Sequence, residues 1–413
     1  MKKIVINFLI STLIVILCFS FPNFLDVKAQ PKTITVPDDY STIQEAVDNA
    51  PDGGTVFVRS GNYEKRVRIR KPLSLIGENP ENTIIETPKI ISSEAVIFAD
   101  SENVTVSGFT IKNCDYAFWT SSRCKIIGNK IEGARYGIAA GGRNNIISGN
   151  EITTKYDGIR ADLDDSLISG NIIKGGRNIG LTVRSGKNLI IYNNTLTTNL
   201  VGLQLRGSGP FYVHGNNITS NRAFGIQLFG CNNSTIYENN MVGNGVGVVL
   251  ENYNYHSGPG PMAQGSGNFI YKNNFVNNQR QVVLDTTWNV GEYHMTVYYP
   301  DAINGTDFAS WYEDKVGNYW SDYKMRYPDA NEINGSGVYD IAFFINPENL
   351  DFYPLVNPIT FPIPTPTPSP TPTPTSSPES EPFPTTIAVA LATTITIIGA
   401  GILVYFKKYR RRP

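Results

Sequence analysis

The chain has 413 residues and a formal net charge of −1, with 41% hydrophobic and 17% charged residues. So even a balance argues against a nucleic-acid partner or a strongly acidic one as the generic reading. Of the 4 cysteines, Cys18 lies in the leader and only Cys114, Cys124 and Cys231 in the body, which excludes a disulfide scaffold.

Residues 1–29 read as a signal peptide: Lys2 and Lys3 precede an apolar run from Ile4 to Phe21, and Val27-Lys28-Ala29 offers a cleavage site. The body, 33–357, opens with "STIQEAVDNAP". Here Ser41 is the expected N-cap with Gln44 three residues later, Ile43, Ala46 and Val47 share one face, and Pro51 ends the helix. The cap and first coils occupy 33–100, regular repeats 101–285, and a closing segment 286–357. Residues 358–384 form a Pro/Thr/Ser-rich stalk that cannot bury a core. Ile387–Phe406 is apolar and uncharged, about 30 Å long as a helix, which predicts a transmembrane span. The basic tail 407–413 places the C-terminus in the cytoplasm and the body outside, as a single-pass protein of the cell membrane.

A period of about 22 residues runs through the body. "IIGNKI", "ISGNEI", "ISGNII", "IYNNTL", "VHGNNI", "IYENNM" and "IYKNNF" align on Asn129, Asn150, Asn171, Asn194, Asn216, Asn239 and Asn273. A second column, "YGIAA", "DGIRA", "IGLTV", "VGLQL", "FGIQL" and "VGVVL", runs in phase. Units this short cannot bury an apolar face alone, so neighbours must stack. Glycine interrupts every candidate helix, whereas short alternating strands fit throughout. The predicted fold is an all-β parallel β-solenoid, one coil per repeat, with the asparagines laddered at a sharp turn.

"TIQEAVDNAPDGGTVFVRSGNY" followed by "LSLIGENPENTII" is similar to the opening of right-handed β-helix proteins of the pectin-lyase type. The Asn/Gly repeats resemble those of carbohydrate-binding and sugar-hydrolase β-helix domains, including the periplasmic NosD family. "GNYWSDY" (317–323) and "DFYPL" (351–355) resemble that family's closing segment, and the stalk and anchor resemble those of archaeal surface proteins. The resemblance covers nearly all of 33–357. It implies a right-handed single-stranded β-helix and leaves open lyases, hydrolases, esterases, epimerases and plain binders.

Strand alternation assigns two outward columns on one sheet face. The first contains Trp119, Arg160, Gln204 and Gln227, the second Asp162, Arg184, Arg206 and Phe229, with Ala161, Val183, Leu205, Leu228 and Leu250 inward between them. Guanidinium groups match carboxylates and amides match hydroxyls, so this set predicts a face that binds polysaccharide or glycan. Two rivals stand beside it. One is an enzyme acting on uronate-containing polymer (lyase, epimerase or hydrolase), with Asp162 and Asp157 as candidate catalytic carboxylates. The other is a structural surface-layer component or adhesin. In "YDGIRADLDD", Asp164 and Asp165 fall at turn positions. Tyr192, His214, Tyr237 and Tyr271 form a further outward stripe, read as stacking between coils. Glycosylation sequons occur at Asn103, Asn193, Asn217, Asn232, Asn233, Asn304 and Asn334. No cofactor is expected: His214, His256 and His294 lie far apart, which argues against copper. "DANEINGSGVYD" (329–340) offers Asp329, Asn331 and Asp340 as a calcium alternative to a plain capping loop.

Overall fold

A computed structural model describes residues 33–87, 94–207, 209–251, 265–284, 309–346 and 349–361. The predicted signal peptide, the transmembrane stretch 387–406, the basic tail and nearly all of the stalk lie outside these residues. So do Asn304, His256 and His294. Among the described residues no helix is long and apolar enough to cross a membrane.

Among the described residues the chain winds through three parallel sheets of 12, 11 and 10 strands, strands of successive coils pairing side by side. One coil runs Leu167–Ser169 in the first sheet, Ile172–Lys174 in the second and Ile179–Ser185 in the third. Alternate residues point inward. Ile168, Ile173, Leu181 and Val183 are fully buried, and Ala161, Leu205, Leu228 and Leu250 stack above and below Val183 as their alternation requires.

The corner between the first and second sheets carries the asparagine ladder. Asn194 Oδ1 accepts from both the backbone N–H (3.0 Å) and the side-chain amide (2.9 Å) of Asn171. Its own Nδ2 donates to Asn216 Oδ1 (3.0 Å), to Ile168 O (2.9 Å) and to Tyr192 O (3.0 Å). The same pattern repeats from Asn129 through Asn273. The left-handed residue at each corner is the one before the asparagine, among them Gly128, Gly149, Gly170 and Gly215 at φ 62° to 63°. That is why glycine precedes the asparagine so often. A second ladder, Asn199–Asn221–Asn244–Asn278, follows the second sheet, beyond the single ladder that the repeat predicts.

Both ends are closed. The helix Ile43–Asn49 is capped by Thr42, whose hydroxyl accepts from the Glu45 amide (3.2 Å), one residue later than the predicted Ser41. Thr42 is extended (φ −128°, ψ 149°), as an N-cap requires, and Ser41 instead reaches the Glu45 carboxylate. At the other end the ladder passes to Asn318 and stops at Asp351, which is fully buried. Asp351 Oδ2 accepts from the Asn318 amide (2.7 Å) and the Trp320 indole (2.9 Å), and Oδ1 from the Tyr353 amide (3.0 Å). Trp320 lies between the rings of Phe275 (4.4 Å) and Phe343 (4.1 Å), so its donor is held at the carboxylate.

Replacing Asn194 by Ala strands the Asn171 N–H and the Ile168 carbonyl in the core. We expect a loss of about 2–4 kcal/mol, read as a lowered urea midpoint. Burial pushes the Asp351 carboxyl from 3.8 up to about 7, against the hydrogen bonds that pull it down. The folded state therefore holds this proton more tightly than the unfolded chain. Its contribution to stability is full below about pH 4, falls as pH rises to about 7, and is constant above. The urea midpoint followed by the buried Trp311 and Trp320 should be higher near pH 4.5 than near pH 8, and Asp351→Asn should shrink that difference.

Candidate functional site: the outer face of the third sheet

The outward column of the third sheet reads, in register, Arg68, Phe98, Trp119, Ala139, Arg160, Thr182, Gln204, Gln227 and Val249. The neighbouring column places Gly141 beside Asp162 and Arg206 beside Phe229. A β-bulge between Ala161 and Asp162 puts Ser185, rather than Arg184, opposite Asp162. Arg184 still reaches the Asp162 carboxylate with its guanidinium, and Ser185 Oγ donates to the other oxygen (3.1 Å).

The face divides into two halves. Trp119 is 45% exposed and Arg184 56%, with Arg160, Asp162 and Arg206 part-exposed. Gln204, Gln227 and Phe229, expected on the open surface, are instead buried, as are Thr182, Val249 and Glu251. The amides are occupied along the stack. Thr182 donates to Gln204 Oε1 (3.1 Å), Gln204 Nε2 to Gln227 Oε1 (2.7 Å), and Gln227 Nε2 to Glu251 Oε1 (3.1 Å). Long polar side chains at strand spacing bond one another, as the asparagines do at the corner, so these two glutamines are structural rather than free hydroxyl-binding groups.

Asp157, a candidate catalytic carboxylate by sequence, is buried. It is 3% exposed, and it accepts from Arg160 Nε (2.6 Å), Asn178 Nδ2 (2.7 Å) and the Ile179 N–H (3.1 Å). It ties one coil to the next and anchors Arg160. The Arg160 guanidinium lies over the Tyr136 ring (3.9 Å) and donates to the Tyr116 hydroxyl (3.4 Å). Burial works against its charge, but the hydrogen bond and charge of Asp157 more than offset that and raise its pKa. Around it stand rings that sequence reasoning missed. Tyr116 stacks on Tyr136 (4.6 Å), Tyr156 leans on Tyr136 (5.9 Å), and Arg135 lies over both Tyr136 and Tyr156. The available signal was tyrosine at the same column position in "YAFWT" and "YGIAA".

Each face arginine thus has a defined partner. Arg160 is paired with Asp157 and Arg184 with Asp162, while Arg206 donates to Gln204 Oε1 (2.8 Å) and lies over Phe229 (5.0 Å). Among the described residues Arg206 has no carboxylate in salt-bridge range. Asp164 and Asp165 hold the following turn, accepting from the Lys187 N–H (3.1 Å) and Asn188 Nδ2 (2.9 Å). The aromatic stripe stacks face to face, Tyr192 on His214 (5.4 Å), His214 on Tyr237 (4.8 Å) and Tyr237 on Tyr271 (5.6 Å), leaving ring edges outward. Asn103, Asn217, Asn233 and Asn334 are exposed, and Asn193 and Asn232 half-buried. In the 329–340 loop the Asp340 carboxylate accepts the Asn331 N–H (2.7 Å), closing the loop on itself.

With three parallel sheets around a ladder-cornered core, the chain is a parallel β-solenoid of the pectin-lyase-like type. It belongs to the family described as periplasmic copper-binding protein (NosD), which matches residues 47–261. No curated protein sequence matches the chain. Among solved structures it is similar to the A-module of mannuronan C-5 epimerase AlgE6 of Azotobacter vinelandii (TM-score 0.50, 16% identity, 67% of this chain and 88% of that one). It is also similar to the periplasmic alginate epimerase AlgG (TM-score 0.42, 18% identity, 62% and 82%) and to the Dettilon tailspike protein (TM-score 0.44, 13% identity, 61% and 62%). At these identities the likeness is one of fold.

The family description implies copper, and the donors among the described residues do not suit it. Among the described residues no three His, Cys, Asp or Glu gather as a metal site. Cys114, Cys124 and Cys231 are free and buried, and burial pushes the thiols of Cys114 and Cys231 up to about 12. His214 is held between two tyrosine rings, and burial lowers its pKa. A copper centre needs clustered, deprotonated soft ligands, and the described residues do not provide them.

Removing Asp157 leaves the Ile179 N–H and Asn178 amide without their acceptor and Arg160 without its counter-charge. Asp157→Ala should cost about 3 kcal/mol in chemical denaturation. Asp162→Ala, which breaks a surface pair, should cost less than about 1 kcal/mol.

Proposed function

We propose that the protein binds polysaccharide or glycan along the exposed half of the third sheet and displays that face at the cell surface on the stalk and transmembrane helix expected from its C-terminal sequence. The observation that carries this reading is one continuous sheet face bearing a half-exposed tryptophan and three arginines within five coils. Trp119 offers an apolar platform for sugar rings, and the guanidinium groups offer planar hydrogen-bond donors. A protein named for acting on the polysaccharide mannuronan shares the fold, which supports a carbohydrate ligand over other polymers.

The pairing of charges refines this reading. Asp157 and Asp162 are both engaged with arginines, which favours binding over hydrolysis by a pair of free carboxylates. Arg206 is the group left to meet a carboxylate on the glycan.

The full chain, held in a detergent without a sugar headgroup, should retain at least one polysaccharide on a glycan array. For an anionic ligand, Arg206→Ala with Arg184→Ala should weaken binding about tenfold or more and flatten its salt dependence. Absence of binding to every glycan would sink the proposal. New reducing ends, unsaturated product or a changed epimer ratio, abolished by Asp162→Asn, would convert it to the enzyme reading.

A further inference from the structure

One strand of the exposed face differs from its neighbours. Tyr136–Arg143 carries Ala139 and Gly141 at its outward positions, while the coil before presents Trp119 and the coil after presents Arg160 and Asp162. The flanking coils are two strand spacings apart, about 10 Å. The Arg160 guanidinium crosses this strand over Tyr136 to reach Tyr116, so the small residues leave a notch beyond it, over Ala139 and Gly141. A Cβ built on Gly141 would meet nothing within 4 Å, so the space above it is open. Next to it, Gly142 has φ +90° and a Cβ there would lie 2.1 Å from Ser122 Oγ, so at that position the chain requires glycine for backbone reasons. Gly141 carries neither constraint.

The walls define what the notch can hold. Rings contact Trp119 from Phe98 (5.7 Å, 44°) and Tyr116 (6.0 Å, 33°), both on its own coil or the one before, and Ala139 is its neighbour on the notch side. The Arg160 guanidinium is fixed by Asp157, Tyr116 and the Tyr136 ring, which leave some of its five N–H groups unassigned. Asp162, bonded to Arg184 and Ser185, supplies carboxylate oxygens at the same strand as Arg160. Arg160 and Asp162 thus lie side by side with their charges already offset, the one by Asp157 and the other by Arg184. An uncharged group with hydroxyls that both donate and accept is served by such a pair, whereas a carboxylate would meet an arginine already neutralised.

We propose that this notch is a subsite for one uncharged pyranose residue of the bound glycan, its ring laid against Trp119 and its hydroxyls held by Arg160 and Asp162. This rests on the glycan-binding reading and adds a place and a chemical class to it. Recognition of charge is then separate, at Arg206 three coils along, about 14 Å away.

The test uses the full chain in the same detergent, with neutral hexasaccharides of glucose, mannose and galactose and with oligomannuronate as probes. At least one neutral hexasaccharide should change the tryptophan emission of the wild type and bind with an affinity that added salt leaves unchanged. By calorimetry, Trp119→Ala and Gly141→Leu should each weaken that binding about tenfold or more. Gly141→Leu should keep the wild-type melting temperature. If it does not, Ala139→Leu fills the same space from a half-exposed position. Wild-type affinity in a folded notch-filled variant would overturn the subsite while leaving glycan binding intact. Response to oligomannuronate alone, weakened by salt, would overturn its uncharged character. Binding of no probe here and of no polysaccharide on the array would overturn both proposals together.

Discussion

The structure depends on one interaction, the buried side-chain amide hydrogen bond between asparagines of successive coils. A sharp corner in every coil turns backbone N–H and C=O groups away from the sheets, and inside a solenoid no water reaches them. Each asparagine fills this need from both sides, its oxygen accepting from the coil before and its nitrogen donating to carbonyls and to the coil after. Unpaired, each such group would cost about 1–3 kcal/mol, which is why the asparagine recurs in coil after coil from Asn129 to Asn273. The ladder therefore fixes the register of the stack, and register decides which side chains meet on the outer face.

The same rule accounts for how the ladder ends. A chain of amides that each pass on a donor must finish on an acceptor. Asp351 provides it, taking the Asn318 amide and the Trp320 indole on one oxygen. Gly317 leaves room for it, since a Cβ there would fall 1.8 Å from the Asp351 carboxylate. The segments that the sequence placed at the end of the solenoid are thus tied through this buried carboxyl as well as through backbone bonds from Gly317 to Tyr353 and from Leu355 to Asn318, and burial gives the carboxyl an unusual affinity for its proton.

On the third sheet the stacking that stabilises the fold competes with the chemistry of the surface. Gln204 and Gln227 satisfy each other and are lost to ligands, and Asp157 is consumed in holding Arg160. What remains open is the half of the face where the column changes type from coil to coil, from Trp119 to Ala139 to Arg160. Long polar side chains in register bond one another along the column, whereas a small residue such as Ala139 between Trp119 and Arg160 leaves a gap. A ligand face on a solenoid is therefore expected where the repeat is broken.

Period and alternation were readable in the sequence. The asparagine spacing, the inward stack from Ala161 to Leu250 and the turn role of Asp164 and Asp165 all follow from residues near one another in the chain and from steric rules that hold in any coil. The Asn199 ladder and the tyrosines around Arg160 carried the same kind of signal, a repeated residue at a fixed column. Which outward groups are free was decided only in three dimensions. The partners of Gln204, Asp157 and Arg184 lie about one coil away in sequence, and a bulge after Ala161 shifts the register between them. Alternation tells a side chain's direction relative to the core, but whether it ends in solvent or against another side chain depends on what the neighbouring coils place beside it.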